Sequence, residues 1–239
     1  NAAAWVGHTP RSLLGSGAES ALPRQALAAA AAHARVSLAH DAAQHLYGVA
    51  WPGRADPVDV SIHDSGGLLV IEAEPASDED TLRDIVCLGH CAEQLAHCNE
   101  IGELATAAAR GIAELARYDR VMVYRFSADG SGSVIAEQVA PGLPTYLGLR
   151  YPASDIPAQA RALYLRSPSR IICDVADDGI DVLGHDTAAL DLSLSTLRSV
   201  SPVHLQYLRN MGTAASMSIS LVMNGRLWGL IACHHRTPM

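Results

Sequence analysis

Apolar residues recur at helical spacing between Thr81 and Tyr118: Ile101, Leu104, Ala105, Ala108, Ile112 and Leu115 fall on one face. The pattern predicts a helix over residues 81–118. Upstream the period changes. Val58-Asp-Val-Ser-Ile62 alternates, Asp64-Ser-Gly-Gly67 supplies turn residues, and Leu68 to Glu74 continues as a partner strand, which together predict a hairpin. An alanine-heavy stretch near Arg24 to Ala34 predicts a helix, and Asn1-Ala-Ala-Ala-Trp5 reads as the start of another with no strand before it. A preceding piece of chain is therefore expected. Polar Pro75 to Asp80 marks a boundary, so the first part reads as the second half of a small α+β domain.

Beyond the long helix, Arg120 to Phe126 alternates Val121 and Val123 against Met122, Tyr124 and Phe126. A glycine-rich turn at Asp129 to Gly132 leads to a strand near Val134 to Val139, and a helix is expected after Pro157. A long polar loop spans roughly Asp174 to Ala189, before a helix at Pro202 and a closing hairpin. In that hairpin Asn224-Gly225 joins Ser216–Met223 to Arg226–His235, the strongest short hairpin signal there is. Strands interrupted by helices and ending in an antiparallel hairpin predict an α+β sheet flanked by helices.

Composition narrows the partners. The 239 residues are 49% hydrophobic, enough for one large or two medium domains. Lys+Arg 17 against Asp+Glu 25 gives a net charge of −8, which argues against a general affinity for nucleic acid or anionic membrane. No apolar run reaches membrane-spanning length and the first residues do not read as a signal peptide, so a cytoplasmic protein is expected. The five cysteines form no disulfide framework, and reduced thiols are expected. Cys87, His90, Cys91, His97 and Cys98 include zinc-type ligands but no paired CxxC spacing; core packing is the better reading, and no metal is expected.

Chemistry concentrates in Ser201-Pro-Val-His-Leu-Gln-Tyr-Leu-Arg-Asn-Met-Gly212. Ser201 suits a helix cap, Pro202 the first turn and Gly212 the exit. His204 and Tyr207, three residues apart, then share a face. In Tyr151-Pro-Ala-Ser-Asp-Ile-Pro157, Ser154 or Asp155 suits the cap of a helix begun by Pro157, with Arg161 and Tyr164 on one side of it. Arg170 and Arg198 flank the polar loop, and Ser216, Ser218 and Ser220 line one face of a strand. Two arginines, tyrosines, a histidine and serines suit a ligand bearing carboxylates, which arginine pairs through a rigid fork. A serine hydrolase is disfavoured because no GxSxG elbow occurs, and no catalytic residues are assigned.

Four runs carry a resemblance: Tyr118–Phe126, Tyr151–Pro157, Leu197–Gly212 and Leu227–His235 resemble, in order and spacing, the bilin-binding GAF domain of bacterial phytochromes. The first domain resembles the PAS domain that precedes it. The resemblance implies a PAS domain over 1–76, incomplete at its N-terminus, and a bilin-binding GAF domain over 77–239. Each would be an antiparallel sheet flanked by helices, with the knot phytochromes form. It implies a red/far-red photoreceptor that holds a linear tetrapyrrole, biliverdin, and is switched by Z/E isomerisation at the bridge to the last ring.

By that likeness Asp155, through its backbone carbonyl, and His204 would bracket the pyrrole nitrogens. Arg170, Arg198, Tyr164, Ser216 and Ser218 would hold the propionates. Tyr124, Tyr151, Tyr207 and His234 would surround the turning ring, with Met122 and Ile156 as apolar walls. Histidine's near-neutral ordinary pKa would let His204 couple to the protonation of the bilin.

Departures accompany the likeness. Val203 stands where plant and cyanobacterial members attach the bilin through cysteine, and the upstream cysteine of biliverdin-binding members is absent from this sequence, so no covalent attachment site is expected in it. Cys233 reads as a small core residue. The loop between Arg170 and Arg198 is short for the family where its N-terminal segment is threaded. In simple register the last hairpin puts Met217 and Ala232 on the face of His234, with Ser216 and Ser218 on the other; uniting the site requires a bulge, a bend or the strand end. A homodimer through long helices and downstream PHY and histidine kinase output domains are the implied partners. The alternative is a pigment-free PAS-GAF scaffold for dimerisation.

Overall fold

The computed structural model describes residues 22–29, 43–51, 54–76, 81–177, 179, 181–182 and 190–239. The expected helix at Asn1–Trp5, the end of the Arg24–Ala34 helix, part of the 174–189 loop and the N-terminal thread of a knot lie outside them. Two compact units form. The first takes the described residues up to 76 with those of 179–199, and the second takes 81–177 with 200–239.

In the first unit, β1 (Gln44–Val49), β2 (Val58–Ser65) and β3 (Leu68–Pro75) form an antiparallel sheet in that order. Gly66 and Gly67 turn the β2–β3 hairpin with φ of 59° and 87°, a region that favours glycine. Val58, Val60 and Ile62 face a core completed by Val49, Trp51 and Ala26. Ser61, His63 and Ser65 on the other face of β2 are buried too. Residues 190–199 cover them: Ser65 Oγ donates to the Asp191 carbonyl at 2.6 Å, and Ser195 Oγ lies 3.4 Å from His63 Nε2. Glu72 accepts the backbone N–H groups of Thr196 at 2.9 Å and Leu197 at 2.7 Å. A polar strand face can be interior when a distant segment satisfies its hydrogen bonds.

The second unit opens with two helices rather than the single one predicted over 81–118: α1 (Thr81–Ala96) and α2 (Ile101–Ala116). The last turn of α1 tightens, with His97 N–H donating to Gln94 and Cys98 N–H to Leu95. Glu100 is extended (φ −117°, ψ 145°), and Glu103 reaches back to the Asn99 N–H at 3.3 Å. The helices fold onto each other where Gly111 meets Cys91; a Cβ on Gly111 would come under 3.0 Å from the Cys91 side chain. The predicted stripe divides accordingly. Ala105 is buried against the sheet with Ala108 and Ile112 packed beside it, whereas Ile101 and Leu104 are exposed.

The sheet of this unit contains β4 (Arg120–Phe126), β5 (Gly132–Val139), β6 (Arg150–Tyr151), β7 (Ser169–Ile172), β8 (Ala215–Met223) and β9 (Arg226–His235). Its order is β6-β5-β4-β9-β8-β7, with every pair antiparallel. Val121, Val123, Ala136, Ile231 and Cys233 pack with α2 on one face. Cys233, fully buried, is the core residue expected.

Of the bulge, bend or strand end expected in the last hairpin, the structure has a bulge. Met223 pairs Arg226 and Val222 pairs Leu227, but Leu221 pairs Gly229, so Trp228 is skipped. From there Ser216 stands opposite His234 and Ser218 opposite Ala232. One inserted residue turns the rest of a strand over.

Helices α3 (Ala158–Arg166) and α4 (Pro202–Asn210) accompany the sheet. Neither Ser154 nor Asp155 caps α3 as expected: Pro157 occupies the N-cap, with φ of −64°, and no side chain bonds there. A turn closed by the Asp155 N–H and the Pro152 carbonyl frees the Asp155 carboxylate for a longer-range partner. In α4, Pro202 takes the first turn, but the Ser201 hydroxyl makes no cap bond. The exit is as predicted. Gly212 has φ of 70°, its N–H reaches Arg209 O at 2.9 Å, and Thr213 N–H reaches Leu208 O at 3.0 Å. Among the described residues no helix is long and apolar enough to cross a membrane, and no group of metal-ligating side chains gathers.

Candidate functional site

Cross-strand partners share a face of a sheet, and the register collects most of the candidate residues on the face opposite α2. Arg170 pairs Ser218; Ser216 pairs His234, which pairs Arg120; Met122 pairs Ala232; and Gly132 pairs Tyr151. Tyr124 is in phase with Met122 on β4. From Arg170 on edge strand β7 to Tyr151 on edge strand β6, five strand spacings span roughly 24 Å.

The flanking segments add the remaining groups. Tyr207 on α4 directs its hydroxyl to the Asp155 carboxylate at 3.5 Å. His204, one helical turn earlier, stacks with Tyr207 at 6.4 Å between centroids and 10° between planes. On α3, Tyr164 holds two members of the serine row: its hydroxyl lies 3.3 Å from Ser218 Oγ, and its carbonyl accepts Ser220 Oγ at 2.7 Å. Ile156 and Tyr151 pack on the buried Met122, Tyr124 and Val134, with the Tyr124 and Tyr151 rings 6.1 Å apart.

Burial sets the protonation states. It presses the His234 pKa down to about 4, assisted by the charge of Arg120 and by His204. Protein around the His204 ring, then Arg170, lower its pKa as well, although the side chain remains open to solvent on one side. Burial, followed by the Asp155 charge, pushes Tyr207 up to about 12, and Tyr124 and Tyr151 shift in the same direction, chiefly by burial. At neutral pH the face presents neutral imidazoles and intact phenols between a guanidinium and a carboxylate. Such a surface can bind a long, flat, conjugated molecule that has carboxylates to place near Arg170.

Arg198, the other arginine expected in the site, lies in the 190–199 segment packed with the first sheet, where its guanidinium donates to the Ser195 carbonyl. Sequence reasoning missed Arg120, Glu137 and Tyr146. Arg120 and Glu137 form an ion pair with side chains 5% and 2% exposed, and the guanidinium lies 3.7 Å over the Tyr146 ring. The phase of β4 was the available signal, because Arg120 alternates in step with Met122 and Tyr124.

A model of the GAF domain family matches residues 100–239. The bacteriophytochrome of Pseudomonas aeruginosa is 52% identical over 144 residues, covering 59% of this chain and 20% of the relative. That of Xanthomonas campestris is 44% identical over 201 residues, covering 82% of this chain and 29% of the relative. The solved chromophore-binding domain of Stigmatella aurantiaca phytochrome P1 superposes with a TM-score of 0.84 at 35% identity, over 100% of this chain and 80% of that one. The chain belongs to the bacteriophytochromes. Its α+β fold of antiparallel sheets with helices is the one that the phytochrome chromophore-binding domains it matches share. A second bacteriophytochrome chromophore-binding domain, from R. palustris, matches with a TM-score of 0.80 and 35% identity. The chain spans only 20% to 29% of the length of these curated relatives.

Proposed function

We propose that the sheet face opposite α2 binds biliverdin, and that light acts by Z/E isomerisation at the bridge to the last pyrrole ring. The bulge at Trp228 carries the reading, because it turns Ser216 and Ser218 onto the face that His234 shares with Met122 and Tyr124. When bound, the bilin supplies light absorption and the double bond that turns. The protein's part is to bind, orient and restrain. Arg170, Ser218, Ser216 and Tyr164 offer a fork and hydroxyls to a propionate. Asp155 and His204 supply acceptors for the pyrrole N–H groups, as a buried delocalised cation requires. Tyr124, Tyr151, Tyr207 and His234, with Met122 and Ile156, wall the turning ring. No side chain of this set is a cysteine, and Val203, 79% exposed on α4, offers no thiol; the face holds the pigment without a bond to its own floor.

Mixing the protein with biliverdin should give a near-infrared absorbance band that changes between red and far-red illumination. No band would sink the reading and leave the pigment-free scaffold in its place. We assign the output to PHY and histidine kinase domains of a longer cytoplasmic protein.

A second copy of the chain is the partner we propose for α1, whose Leu82, Ile85 and Val86 are 78%, 60% and 71% exposed along one stripe. Ile85→Asp combined with Val86→Asp should convert a dimer to a monomer in sedimentation velocity. A native protein that already sediments as a monomer contradicts this.

A further inference from the structure

Glycine in a strand interior costs stability unless another group needs the space of its missing side chain. Gly132, the first residue of β5, is paired on both sides within the sheet, and there that group is Tyr124. A Cβ on Gly132 would fall under 3.0 Å from three atoms of the tyrosine: Cζ, Cε1 and the hydroxyl oxygen. The Tyr124 ring therefore lies over the glycine, which is flanked across the strands by Phe126 and Tyr151. Phe126 meets the ring edge-on at 5.2 Å and 85°, closing the direction along the strand.

The backbone of Tyr124 is held as closely as its ring. On the neighbouring strand, a Cβ on Gly229 would come under 3.0 Å from the Tyr124 carbonyl oxygen, so β9 approaches β4 with no side chain between them. Gly229 follows the skipped Trp228. One glycine thus fixes the strand and the other makes room for the ring. A ring displaced from Gly132 has the sheet beneath it and Phe126 beside it, and it moves outward toward Tyr151 and Ile156, the neighbours it shares on the pocket face.

We infer that Gly132 is a positioning residue for the photoreaction: by letting Tyr124 lie flat against the sheet, it sets the volume in which the last ring of the pigment turns. This rests on the bilin reading above. An alanine at 132 lifts the tyrosine into that volume, and a tightly packed site accepts one extra methyl only by moving its neighbours.

The test uses biliverdin-loaded native protein, Gly132→Ala, Tyr124→Ala and the double variant. In Gly132→Ala the near-infrared band should persist, while photoconversion yield falls about fivefold or more and fluorescence rises. In the Tyr124→Ala background the same glycine substitution should change neither quantity, since no ring remains to displace. That epistasis separates positioning from a general structural role. Should Gly132→Ala alone be insoluble, Tyr124→Ala against the double variant still decides: equal yields support the inference and a several-fold difference overturns it. Native-like photochemistry in Gly132→Ala overturns it too. A native protein that forms no band overturns the bilin reading and this inference with it, whereas a native band beside an unaffected variant overturns the inference alone.

Discussion

Replacing Glu137 by alanine lowers the unfolding free energy of the second unit by about 3–5 kcal/mol, the range for a buried ion pair that loses one partner. Its carboxylate accepts the Arg120 guanidinium, Thr145 Oγ1 at 2.6 Å, the Tyr146 N–H at 3.0 Å and the Leu147 N–H at 3.3 Å. Truncation strands these donors together. Arg120 would retain the Pro144 carbonyl at 2.6 Å and the face of Tyr146, too little to compensate an otherwise buried charge. Glu137→Gln keeps an acceptor and should lose roughly half as much. The bonds also pin residues 144–147, which lead into β6, Tyr151 and the Asp155 turn, so the pocket wall should loosen with the loop. Urea unfolding followed by tryptophan fluorescence checks the prediction. A Glu137→Ala midpoint equal to the native one would show that the pair contributes nothing net.

That pair also illustrates what could be read from the chain and what could not. Strand phase placed Met122 and Tyr124 on one face, and Asn224-Gly225 located the last hairpin, because both signals are local. The resemblance called for Ser216, Ser218 and His234 in one site, but simple hairpin register set the serines apart from His234, since their union depends on a one-residue bulge that no glycine or proline at position 228 announces. The break after Ala96 was hidden for a related reason. Residues 97–100 contain no proline or glycine, and the chain turns there through 3₁₀ bonds and an extended Glu100. The burial of Ser61, His63 and Ser65 was not legible in β2 itself, because the segment that buries them lies more than a hundred residues away in sequence. Periodicity reports the environment of one segment, and these features are made by two.

Between pH 6.5 and about 4 the native protein should lose about 3 kcal/mol of stability through His234, and His234→Gln should remove that slope. An unfolded imidazole takes up its proton near pH 6.5, whereas the folded one resists until about pH 4. Within that window the unfolded chain binds more protons, so stability rises with pH, is level above the window, and is lost as pH falls through it. Burial is the main cause, and the charge of Arg120, opposite His234 across the β4–β9 pair, adds to it. His204, also lowered, acts with the same sign, while Asp119, held below the usual carboxylate range by Arg236, acts only at more acid pH. Urea midpoints at pH 7.5, 6 and 4.5 for the native protein and His234→Gln measure the slope. Equal acid lability in both would assign it elsewhere. The same burial leaves a neutral imidazole beside a fixed arginine at neutral pH; in the bilin site proposed above, that would let His234 wall a cationic pigment without repelling it, with stability at low pH lost in exchange.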